Sequence, residues 1–152
     1  MSLNFADLAN KKMSDIEAVP LPPVGHYRWK ITKLPEITTT ADGKWDILNI
    51  PVRAVEAVDV EDIAEFKGKL TDIMQSVRFM FDKNDEVAFL KSLNQVKKFF
   101  SKHVRCCEED DEIKIALNNS VGQEFMGQIA WKADKNDPEV FFANISKTGP
   151  LD

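Results

Sequence analysis

The run Pro20-Leu-Pro-Pro-Val-Gly-His-Tyr-Arg-Trp-Lys-Ile-Thr-Lys-Leu34 constrains this chain more than any other stretch. Proline fixes φ and lacks an N–H, so the prolines tell against a helix and lead extended into Gly25. Beyond the glycine, apolar and cationic side chains alternate. Tyr27, Trp29 and Ile31 fall on one side of a period-two strand, and His26, Arg28, Lys30 and Thr32 fall on the other. One face is built for a core and the other for an anion.

The rest of the chain must supply partners for that strand. Asp42-Gly43, within Thr38–Lys44, is a strong hairpin signal, so a strand over Gly25–Ile37 should fold back onto a second over Trp45–Val55. Leu48, Ile50, Val52 and Ala54 form one side of the second strand, and Pro51 predicts an edge or a bulge. Val58–Lys69, acidic and broken by Gly68, reads as a loop or one loose helical turn. A third strand is predicted over Leu70–Phe81, apolar on both sides. Asn84 or Asp85 is placed to cap a long helix over Glu86–Val104, packed by Phe89, Leu93, Val96 and Phe100. A short piece of open type follows near Asp111–Asn118. Two last strands, Glu124–Ala133 and Glu139–Ser146, flank the turn formers Asp134–Pro138. Residues 1–19 read as a short helix or an arm on the domain.

At 152 residues the chain is long enough for one domain, 1–152, with its own hydrophobic core. No apolar run approaches the ~20 residues needed to span a bilayer, and no secretion signal opens the sequence, so a cytoplasmic, non-membrane protein is expected. The two cysteines, Cys106 and Cys107, are adjacent and offer no framework disulfide, which suits a reducing compartment. A net charge of −5 tells against coating nucleic acid by bulk charge, but the acid is clustered in Val58–Glu65 and Glu108–Glu112. Gly25–Leu34 and Lys97–Arg105 are locally basic.

Chemistry-bearing motifs are few. The sequence holds no nucleophile elbow, phosphate-binding glycine loop or HExxH, so an enzyme is not expected. His103, Cys106 and Cys107 lack the fourth ligand and the spacing of a zinc site, and no cofactor is expected. Binding is the better reading. Tyr27, Trp29, Trp45, Trp131 and Phe141 are the candidate base-stacking platforms, each competing with a place in the core. Arg28, Lys30, Lys33, Lys44, Arg53, Arg78 and Lys132 are the candidate phosphate contacts, each competing with plain surface charge.

Three strands, a helix and two strands is the order of the OB-fold, a five-stranded barrel with, here, one long helix between strands 3 and 4. The chain also resembles small tailed-phage proteins that bind single-stranded DNA. The resemblance rests on Asp15-Ile-Glu17, on Leu21-Pro22 followed by Gly25 and Tyr27, and on Lys44-Trp45 opening the second strand. It implies an all-β fold with helical insertions, single-stranded DNA as partner, and replication or recombination proteins as further partners. Such proteins often end in an acidic tail, whereas this chain ends Lys147–Asp152 and carries its densest acid internally. The alternative is an OB-fold protein–protein module, a virion or replisome accessory without DNA binding. Oligomeric state is not legible.

Overall fold

The Asp42-Gly43 turn organises the first half of the sheet. In the computed structural model, which describes residues 12–13, 21–66 and 68–151, Gly43 has φ 72°, a left-handed conformation that favours glycine. The Thr40 N–H donates to the Trp45 carbonyl and the Gly43 N–H to the Thr40 carbonyl, both at 2.9 Å. The Thr40 hydroxyl donates to the Asp42 carboxylate at 2.6 Å, and that bond holds the Asp42 carboxyl below its ordinary range. The arm expected over residues 1–19 lies, but for Lys12 and Met13, outside the described residues.

The strand expected over Gly25–Ile37 is two strands, β1 (Gly25–Ile31) and β2 (Glu36–Thr39). Pro35, with no N–H to give a ladder, sits in the break between them. Both pair with one side of β3 (Trp45–Val60), which is longer than predicted because Gly25 reaches Val60 across the ladder. The bulges are not at Pro51. They fall where Tyr27 pairs Ala57 and Trp29 pairs Ala54, leaving Val58 and Val55 unopposed and increasing the local twist. Pro51 instead passes the break between β1 and β2, where its carbonyl accepts the Thr32 N–H at 3.0 Å.

Strand β4 (Met74–Asp82) pairs with the other side of β3. It was expected to be apolar and buried on both sides, but only Ile73, Val77 and Phe81 are buried there, while Met74 and Met80 face water. Two single 3₁₀ turns, Ile63–Glu65 and Leu70–Asp72, occupy the acidic connection before it. Strand β5 (Glu124–Ala133) joins the free side of β1, and β6 (Phe141–Gly149) joins β5. Every pair is antiparallel, in the order β2-β3-β1-β5-β6 with β4 on β3.

The predicted helix runs as α1 (Glu86–Lys98), capped by Asp85 accepting from the Ala88 N–H at 3.1 Å. It continues without a break as a π-helical segment, Phe99–Val104. Within it the adjacent Phe99 and Phe100 are both buried, because that turn is covered by the sheet. Phe99 meets Phe100 and Phe125 edge-on, each with ring centroids 5.1 Å apart. Arg105, at φ 60°, ends the segment, and a short α2 (Ile113–Ser120) follows the acidic loop.

The fold is therefore a β-rich α+β architecture, one six-stranded antiparallel sheet with one long helix. Its core joins Tyr27, Trp29 and Ile31 to Leu48, Ile50, Val52, Phe125 and Ile129 from the sheet, and to Val96, Phe99, Phe100 and Val104 from the helix. Six strands replace the expected five, and the sheet is not closed. Strands β4 and β6 approach one another but share no ladder.

Candidate nucleic-acid interface

The unclosed seam is where surface features of this chain converge. An open groove of about 680 Å³ lies between β4 and β6 and is floored by Pro51 and Val52 of β3. Lys33 and Arg78 bring two cations to it, and Gln75, Ser76, Asn144 and Ser146 bring amides and hydroxyls. Phe142, 43% exposed, supplies an aromatic face. No carboxylate lines it among the described residues. In a chain with 25 acidic residues against 20 basic, that local sign is a departure from the average surface.

The backbone explains why these groups meet. Lys33 falls in the break between β1 and β2, outside any ladder. Arg78 pairs across from Asn49, whose amide oxygen accepts from the Arg78 Nε–H at 3.1 Å. That bond fixes the guanidinium plane and leaves its two terminal nitrogens to face a ligand. Phe142 pairs across from Lys132, so the two share a side of the β5–β6 ladder.

A second cationic feature adjoins the groove on the solvent side of the sheet. Lys30 is directly opposed to Arg53 on β3 and, on its other side, to Glu124 on β5, an acid that Arg28 also contacts, so two cations share one neighbouring carboxylate. The ion pairs of the described residues involve Arg28, Lys83, Lys102 and Lys114, and none involves Lys30, Lys33, Arg53 or Arg78. The Arg53 guanidinium lies 3.7 Å from the sulfur of Met74, itself a lining residue of the groove.

The remaining sequence candidates separate by environment. Tyr27 and Trp29 are fully buried, so neither can stack on a base, and the apolar parity that put them on the core face prevails. The Tyr27 hydroxyl donates to the Pro23 carbonyl at 2.6 Å, and burial pushes its pKa up to about 12. Arg28 is exposed enough to contact a ligand, but Glu56 (3.3 Å) and Glu124 (3.1 Å) already balance its charge. Lys44 and the half-buried Trp45 sit at the hairpin end of β3. Pro51 is six steps along the strand from Trp45, about 20 Å, and neither Lys44 nor Trp45 lines the groove. Trp131 is tied through its indole N–H to the Pro22 carbonyl at 2.7 Å and borders a different hollow that contains Asp62 and Glu65. Phe141 is half exposed, but it is Phe142 that reaches the groove.

Elsewhere the titratable groups are held by local contacts. His103 Nδ1 is 2.7 Å from the Thr148 hydroxyl, and burial, with Lys98 nearby, lowers its pKa. Burial pushes the Cys106 thiol up to about 11, with the Phe100 and Ala116 carbonyls in reach of the sulfur. Among the described residues no group of three or more His, Cys, Asp or Glu is arranged to hold a metal ion, and no helix is long and apolar enough to cross a membrane.

No protein-family model matches the chain, and neither does any curated protein.

Proposed function

We propose that the architecture is an open OB-type barrel. In this reading β1 with β2 is the first OB strand, β3 and β4 the second and third, and β5 and β6 the fourth and fifth, with α1 and its π-helical extension between the third and fourth. The strand order and the antiparallel pairing support it. The interrupted first strand and the missing β4–β6 ladder are its departures from a closed barrel.

Within that class we read the chain as a sequence-independent single-stranded DNA-binding protein, of the kind phages use in replication, recombination or repair. The observation that carries the reading is the β4–β6 groove, with Lys33 and Arg78, an exposed aromatic and no carboxylate in its lining. Cations follow a phosphate backbone whatever its sequence, and an aromatic face accepts any base. Lys30, Arg53 and Lys132 extend the track. No step of covalent chemistry is assigned.

The test is a salt titration of fluorescence anisotropy on a labelled oligo(dT). Each phosphate contact adds about −0.7 to the slope of log K against log salt for single strands, so Lys33→Ala with Arg78→Ala should flatten it by about 1.4. Arg28→Ala should leave the slope as it is, because Glu56 and Glu124 already neutralise that charge. Phe142→Ala should cost ~1–3 kcal/mol of binding. Absence of binding at low salt would reject the nucleic-acid reading. A slope flattened by Arg28→Ala and not by the groove pair would move the site.

A further inference from the structure

A second groove, sharing no lining residue with the first, opens between α1 and α2 and has a volume of about 340 Å³. Its floor is apolar, made by Leu93, Val96, Phe100 and Ala116. Its lips are apolar too. Leu90 on α1 is 51% exposed and Ile113 on α2 is 53% exposed, large side chains left in water on facing helices. Leu90 stands one turn before Asn94 and two turns before Lys97, on a strip of α1 that a purely solvated helix would fill with polar residues.

The border is acidic. Glu108, Glu109 and Asp111 stand at the groove with one lining cation, Lys97; Glu109 is paired with Lys102 at 3.4 Å, so among the described residues Glu108 and Asp111 carry the border's unpaired charge. The acidic loop is fixed in place: the Glu108 N–H donates to the Asp111 carboxylate at 2.8 Å, and the Asn119 amide donates to the Cys106 carbonyl at 3.2 Å. An apolar trough with a preset negative border is complementary to a segment that is apolar on one face and basic beside it. Apolar side chains at i, i+3, i+4 and i+7 would enter the trough while lysine or arginine met the carboxylates.

We propose that the α1–α2 groove docks a short, basic, amphipathic helix of a partner protein. The proposal does not depend on nucleic-acid binding at the β4–β6 groove, and the two surfaces can be occupied together.

The test uses the full chain and a fluorescein-labelled peptide of about 14 residues, with Leu at i, i+3, i+4 and i+7 and Lys elsewhere. Its Lys→Glu counterpart and a peptide of residues 1–19 of this chain serve as comparisons. The Leu/Lys peptide should bind, and the Leu/Glu peptide should not. Leu90→Gln with Ile113→Gln, half-exposed positions whose exchange leaves net charge unchanged and whose folding is checked by thermal unfolding, should weaken binding about tenfold or more. Glu108→Gln with Asp111→Asn, which keeps an acceptor for the N–H of residue 108, should weaken it and reduce its salt dependence. Equal binding by Leu90→Gln/Ile113→Gln and the unaltered chain would mean adsorption by charge alone and overturn the proposal. Tighter binding of the 1–19 peptide would assign the groove to this chain's own leading segment. A dimer that Leu90→Gln/Ile113→Gln dissociates would assign it to a second copy.

Discussion

Gly127→Ala tests the packing on which both surfaces rest. A methyl group at Gly127 would lie 2.8 Å from Trp29 Nε1, 2.9 Å from Trp29 Cδ1 and 3.1 Å from Ile145 Cγ2. The indole cannot swing away, because it is fully buried against Tyr27 and its N–H donates to the Gly127 carbonyl at 3.1 Å. Either the indole shifts and that bond breaks, or β6 moves off β5. Overpacking a close-packed core costs ~1–3 kcal/mol, and a strained buried hydrogen bond adds about 1 kcal/mol. The sum, about 2–4 kcal/mol, corresponds to a Tm lower by roughly 5–15 °C for a chain of this size. Thermal unfolding followed by circular dichroism measures it. Gly149→Ala, where nothing lies within 4 Å of the added atom, should stay within about 0.5 kcal/mol of the unaltered protein. In a Trp29→Phe background the smaller ring makes room, and Gly127→Ala should cost less. If its cost is the same with tryptophan or phenylalanine at position 29, the clash is not with the indole and the reasoning fails.

Two further perturbations follow from local contacts. Asp85→Ala removes the acceptor for the Ala88 N–H and should cost ~0.5–2 kcal/mol in denaturant unfolding, with Asp85→Asn close to unaltered. His103 has its folded pKa lowered below 6.5, so the unfolded chain takes up the proton first. Stability should therefore fall as pH drops through 6.5 and level off below the folded value. His103→Gln should shrink the Tm difference between pH 7.5 and pH 5.5; an identical difference would show that other groups set it.

The core face of β1 was legible because strand parity is a local property: Tyr27, Trp29 and Ile31 alternate with polar neighbours, and all three are buried. The hairpin was legible for the same reason, since Asp42-Gly43 determines its own turn. Which cations are free was not legible. Arg28 and Lys30 look alike in sequence, and only the folded sheet sets Glu56 opposite Arg28 and turns the Glu124 carboxylate, whose ladder partner is Lys30, diagonally onto Arg28. The second bank of the groove was not legible because β4 and β6 are far apart in sequence and share no ladder, so nothing local to Phe141-Phe142 tells which of the two faces β4. The α1–α2 trough left only one sign, the acidic run Glu108–Glu112, whose apolar floor comes from residues that helical spacing assigned to the core alone.

The missing ladder between β4 and β6 has a mechanical consequence. Strand β6 hangs from β5 alone, so its other rim is held to the body by side chains and not by backbone rungs. Parting the two banks would rupture no ladder bond between them, whereas parting β1 from β3 would break a full antiparallel ladder. Amide protons along β6 should exchange with solvent sooner than those of β1, which is clasped on both edges. Anything that occupies the space between β4 and β6 should slow that exchange, so the strand that leaves the sheet open would also report that the gap had been filled.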